Sequence, residues 1–184
     1  MAQPAPPSSS SASSWPLRIG IVLLALGMFG CDHATKLAAE TKLAGSAAMP
    51  IVSGVLELRY TRNDDTAFSL LHTFGIPRTP SVLLAAASVA LLSIVAMWFV
   101  TRRKASKAQH VAFALVVAGA LGNVIDRAAR GYVVDFIHLT RWPVFNVADI
   151  AVVAGVILLV LAGSLKSRSA TPASGPPAGP PAPG

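Results

Sequence analysis

The sequence predicts an all-α membrane protein, a four-transmembrane-helix bundle with a small extracytoplasmic β element. Three observations predict it. Of the 184 residues 53% are apolar and only 12% are charged, about half the charged fraction usual in a soluble domain. Four apolar stretches recur along the chain, each near the ~20 residues that cross a ~30 Å hydrocarbon layer. The basic residues sit mainly beside these stretches, as they do when they orient helices in a bilayer.

The elements follow in order. Residues 1–14, rich in Ser, Pro and Ala, are expected to be disordered, because they cannot bury enough apolar surface to offset chain entropy. Residues 15–168 are expected to form the membrane domain, with the first span at about 17–38. Arg18 followed by an apolar run ending Gly30-Cys31 also has the outline of a secretory leader. Met28 and Phe29 suit a cleavage box poorly, and Lys36 and three more spans follow, so the run reads as an anchor.

The segment 39–79 carries the β element, at about 51–71. Leu56, Leu58 and Tyr60 alternate with Glu57, Arg59 and Thr61, the period of a half-buried strand. Asn63-Asp64-Asp65 supplies turn chemistry, and Thr66-Ala67-Phe68-Ser69 can return as a second strand. The second span follows at about 80–100, the third at 109–126 and the fourth at 147–165. Residues 169–184, rich in Pro, Gly and Ala, are expected to be disordered like the first tail.

Orientation comes from the basic residues. Arg102, Arg103, Lys104 and Lys107 lie between the second and third spans, Lys166 and Arg168 follow the fourth, and Arg18 opens the first. The positive-inside rule assigns all three groups, and both termini, to the cytoplasm. The net charge of +7 therefore belongs to membrane topology rather than to nucleic-acid binding. Cys31 is the only cysteine, which excludes an intrachain disulfide and a zinc-type cysteine cluster. His33, His72, His110 and His138 have no metal-ligand spacing.

The polar residues of the spans gather at one depth. Asp32 lies fourteen residues beyond Arg18, roughly 21 Å at ~1.5 Å per helical residue. Asn123 lies equally far beyond Gln109, Asp149 opens the fourth span, and Asp135 falls in the short loop before it. Asp32, Lys36, Asn123, Asp126, Arg127, Asp135, Asn146 and Asp149 thus converge toward the outer face. Ionisable groups there are costly and indicate a site.

All but Asp135 also have a structural reading. Asp32 and Lys36 are four apart, in the order that favours a helical ion pair. Asp126 beside Arg127 has the same plain explanation. Asn123 and Arg127 are four apart, and Gly119 and Gly122 let another helix come close. Asn146 is either a helix N-cap, with Asp149 reaching back as in a capping box, or a substrate ligand. Asp149 can equally be a helix-start carboxylate favoured by the macrodipole. Asp135, within Tyr132-Val133-Val134-Asp135-Phe136-Ile137, has no evident structural purpose.

In order, these residues resemble the bacterial lipoprotein signal peptidases (signal peptidase II) over about residues 17–165. Asp32-His33-Ala34-Thr35-Lys36 resembles the family's D-x-x-T-K motif, and Asn63 through Ser69 its N-x-G-x-A-F-S motif. Gly119 through Arg127 is similar to G-A-L-G-N-x-x-D-R, while Val133-Val134-Asp135-Phe136 and Phe145-Asn146-Val147-Ala148-Asp149 resemble its two aspartate motifs. Asp65 departs from the pattern, standing where the family has Gly. It lacks glycine's freedom at positive φ and adds negative charge.

The resemblance implies an aspartic endopeptidase with Asp135 and Asp149 catalytic. Asn63, Asn123, Arg127 and Asn146 would contact substrate, and Asp32, Lys36 and Asp126 would form a supporting polar network. The substrate would be a diacylglyceryl-modified prolipoprotein, cut before its lipidated cysteine, at the outer face of the bacterial cytoplasmic membrane. No metal or organic cofactor is implied. A monomer in contact with membrane lipid is expected. Two other readings stand beside this one. A non-catalytic member would bind prolipoproteins or an inhibitor, and a small transporter would spread its polar groups along the full depth, whereas the second span is almost wholly apolar.

Overall fold

The computed structural model describes residues 15–64 and 79–169, with side chains as far as Ser164. Helix α1 (Trp15–Leu43) leads into strands β1 (Met49–Val52) and β2 (Leu56–Asn63). Helices α2 (Pro80–Thr101) and α3 (Lys107–Arg130) follow, then strand β3 (Val133–Leu139) and helix α4 (Val147–Ser169). All four helices are long and apolar enough to cross a membrane. Residues 1–14 and 170–184, Asp65 and the strand expected at Thr66–Ser69 lie outside the described residues, while Ser169, expected in the second tail, ends α4.

Helix ends follow local chemistry. Thr79 caps α2, its hydroxyl accepting from the Val82 N–H, and Pro80 fills the first turn, where its missing N–H costs nothing. Ser106 and Gln109 form a reciprocal capping box at the start of α3. Gly131 ends α3 at φ 82°, a left-handed conformation that glycine adopts without a Cβ clash. That stop turns the chain directly into β3. α3 continues beyond the span expected to end near Asp126, because Asp126, Arg127 and Arg130 find partners inside the bundle.

The segment holding Asp135, expected as a loop, is a strand. β3 pairs antiparallel with β2, which pairs antiparallel with β1. The partner of β3 lies about seventy residues earlier, with Arg62 opposite Val134 and Thr61 opposite Asp135. A nonlocal pairing of that kind leaves no mark in the strand's own neighbourhood. Val134 and Phe136 pack with Ala39 and Leu43 of α1 in a small core joined by Leu58, Tyr60 and Val147. Asp135 alternates with them and points to the opposite face.

In the bundle, α3 is the central helix. It packs along α4 and also against α1 and α2. Gly119 and Gly122 permit this approach. A Cβ on Gly119 would collide with the Ala148 carbonyl of α4, and one on Gly122 would come within 2.6 Å of Asp32 Oδ2. The glycines thus leave the space into which α1 sends its carboxylate.

Candidate active site

Among the described residues Lys36 is the largest of the fully buried side chains. Its ammonium, which can only donate, is surrounded by three oxygens. Asp32 Oδ2 lies at 2.8 Å, Asp126 Oδ2 at 2.9 Å and Asn123 Oδ1 at 2.9 Å. Such a charge is stable out of water only when paired this completely. Asp32 accepts the Ala148 N–H at 2.9 Å with its other oxygen, which ties the first turn of α4 to α1. One oxygen-rich knot therefore joins three helices.

Asn123 carries the network toward the sheet. Its Nδ2 donates to Asp149 Oδ1 at 2.9 Å. Asn146 and Asp149 make both bonds of a capping box: the Asn146 N–H donates to Asp149 Oδ2 at 3.1 Å, and the Asp149 N–H donates to Asn146 Oδ1 at 3.0 Å. The cap and ligand readings of Asn146 are therefore compatible. Its side-chain Nδ2 remains available and donates to Asp135 Oδ1 at 2.6 Å and Asn123 Oδ1 at 3.2 Å. Asn63, from the end of β2, donates to Asp135 Oδ2 at 2.7 Å.

Asp135 is 2% exposed and Asn146 0%. Burial pushes the Asp135 carboxyl up to about 6. The Asn63 and Asn146 amides oppose that shift, and the charge of nearby Asp149 adds to it. The buried Asp135 and the half-buried Asp149 thus stand close enough to influence one another, bridged by a single asparagine.

The structure brings together Asp32, Lys36, Asn63, Asn123, Asp126, Asp135, Asn146 and Asp149 in one connected network. Arg127 joins through Nη1 to the Asn123 carbonyl at 3.4 Å. Two members escaped the sequence reading. Arg130 meets Asp126 Oδ1 at 3.4 Å and Glu40 Oε2 at 3.3 Å. Helical spacing could have found both, since Glu40 follows Lys36 by four residues and Arg130 follows Asp126 by four. His138 is paired with Glu57 at 2.9 Å across the β2–β3 ladder. Among the described residues no group of three His, Cys, Asp or Glu is arranged to hold a metal ion.

Residues 24–165 match the family model described as Signal peptidase (SPase) II. The lipoprotein signal peptidase of Geobacter sulfurreducens is 38% identical over 143 residues, covering 74% of this chain and 86% of that protein. The lipoprotein signal peptidase of Moorella thermoacetica is 36% identical over 138 residues, covering 75% and 88%. Among solved structures, a bacterial membrane enzyme aligns with a TM-score of 0.69 and 27% identity over 84% of this chain and 93% of its own.

Proposed function

The chain belongs to the signal peptidase II family, and on that premise we propose that it is an aspartic endopeptidase acting on diacylglyceryl-modified prolipoproteins, with its cut just before the lipidated cysteine. Family and hydropathy together make it a multi-pass enzyme of the bacterial inner membrane. One observation carries the catalytic assignment. Asn146 donates to Asp135 through its side chain and to Asp149 through its backbone. A residue that holds both carboxylates at once, one buried and one half-buried, supports their acting as a pair.

Peptide hydrolysis by such a pair needs one carboxylate ionised and one protonated. Neighbouring carboxylates reach that state by sharing a proton, since both resist holding charge together. The titration then belongs to the pair. The ionised member takes a proton from water, whose oxygen attacks the scissile carbonyl. The protonated member hydrogen-bonds the carbonyl oxygen, and its proton passes to the departing amine. Asn63, which donates to Asp135, and Arg127, one turn beyond Asn123 on α3, would orient the substrate backbone.

The site is assigned to the outer face and both termini to the cytoplasm. In support, Arg18, Arg102, Arg103, Lys104 and Lys107 occupy helix ends opposite those that carry the carboxylates. Such a position suits a reaction that needs water while its substrate stays in lipid.

The test is cleavage of a lipid-modified precursor by the purified protein. Asp135→Asn and Asp149→Asn should each lower the rate by several orders of magnitude while the protein still inserts. Near-normal cleavage by either variant would refute the mechanism.

A further inference from the structure

Lys36 does more in this geometry than brace α1. Its ammonium pairs with Asp32 and Asp126 and donates to the Asn123 oxygen, and neither Asp135 nor Asp149 is among these partners. The Asn123 carboxamide sits between Lys36 on one side and Asp149 on the other. An ammonium only donates, so the amide atom facing it must be the oxygen. The Asn146 Nδ2 points at the same oxygen from 3.2 Å. Turning the Asn123 amide over would set its NH2 against two donors and its oxygen against a carboxylate. The cation therefore forces the NH2 group toward Asp149.

Asn146 is locked by the same logic. Its oxygen takes the Asp149 N–H, so its NH2 is left for Asp135 and for the Asn123 oxygen. A single ordered sequence of donors thus begins on α1 and ends on both carboxylates.

We propose that Lys36 is a positioning residue for the carboxylate pair, holding the Asn123 amide in the one orientation that donates to Asp149 and, through the shared oxygen, steadying Asn146 as a donor to Asp135. This rests on the assignment of Asp135 and Asp149 to the chemistry. A lysine that only docked α1 would affect stability and would act independently of Asn123. A lysine that acts through the amide has no further effect once the amide is gone.

That difference is measurable with the full-length protein in lipid nanodiscs and a diacylglyceryl-modified precursor. Lys36→Met should lower kcat about a hundredfold with KM changed less than about threefold, the pattern of a lost transition-state interaction. The Lys36→Met, Asn123→Leu double variant should be no slower than Asn123→Leu alone, because coupled residues are not additive. The acid limb of the pH–rate profile should also move to higher pH in Lys36→Met, since the singly ionised pair loses a directed donor and Asp135 loses the attraction of the Lys36 charge. The charged groups that bear on it are Asp32 and Glu40 from α1, Asp126, Arg127 and Arg130 from α3, and the pair itself from β3 and α4.

Losses that multiply in the double variant, a Lys36→Met effect confined to KM, or an unmoved acid limb would overturn the proposal. If Lys36→Met alone does not fold, the charge-balanced Lys36→Met, Asp126→Asn variant is compared with Asp126→Asn, with the same expected loss. Asp135→Asn is run alongside. Full activity there would refute the catalytic pair itself, an outcome separate from failure of the Lys36 coupling.

Discussion

The two halves of α1 differ sharply. From Trp15 to Cys31 no residue is buried, and Ile19, Val22, Leu23 and Leu26 are all more than half exposed. From Asp32 to Leu43 the helix contributes Asp32, Lys36, Ala39 and Leu43 to the interior. In a soluble protein the apolar half would be the one inside. Here lipid is as good a solvent for leucine as another helix is, so apolar surface gives little preference for packing. The polar residues have nowhere else to go. Out of water they must find one another, and by doing so they fix α1 against α3 and α4. Helix α2 repeats the lesson, since Leu83 is its only buried residue.

Substitutions at the polar end should therefore be costly, and those at the apolar end nearly silent. The carboxylate pair itself stands first, with the loss of several orders of magnitude expected for either Asp→Asn change. Asn146→Ala should come next. It removes the bridge to Asp135 and the cap of α4 together, and precursor cleavage should fall about a thousandfold, near 4 kcal/mol of barrier. A cleavage rate within tenfold of wild type would mean that the bridge is not needed.

Gly119→Leu should destabilise the bundle by about 1–3 kcal/mol or more, because its side chain meets the Ala148 backbone, which cannot move aside. Thermal unfolding in detergent measures it, and an unchanged Tm would show that α3 and α4 are free to separate.

Asp135→Asn sharpens the comparison from the other direction, because it should abolish activity while removing a charge that costs the fold stability at neutral pH. The folded carboxyl sits at about 6, against about 3.9 in an unfolded chain. An acid raised in this way resists ionising in the folded state. Its stability is therefore greatest below the unfolded value and declines as the pH rises from about 4 to about 6. The stability of the amide variant relative to wild type should therefore be about 1–3 kcal/mol greater at neutral pH than near pH 4, while the cost of setting its NH2 against the Asn63 or Asn146 donor is the same at both. Denaturation at the two pH values checks this, and an equal difference at both would assign the effect to something other than charge. Smallest of all, Leu23→Val in the lipid-facing half of α1 should change stability by less than about 0.5 kcal/mol. A larger loss would place a partner against that face.

Much of this was legible in advance. Hydropathy and length located four spans, because backbone polar groups in lipid leave a helix little alternative. The i, i+4 spacing of Asp32 and Lys36 foretold their ion pair, and Asn146 with Asp149 foretold the cap, since both are local contacts. Glu40 and Arg130 carried the same signal and were passed over. β1 and β3 were not foreseen as strands. Their pairing is with β2, and for β3 the partner is distant in the chain.

The sequence by itself determined that the chain crosses a membrane and that its polar residues share one depth, because both depend on residue type and on a rise fixed per residue. Only the tertiary structure decided which oxygen each donor serves. Lys36 meets Asn123, Asn123 meets Asp149, and Asn146 reaches Asp135 because glycines on α3 let three helices come close, and because an ammonium among them can only donate. The direction of the bonds that run from Lys36 through Asn123 to Asp149 belongs to the assembled site, since those partners lie on three different helices.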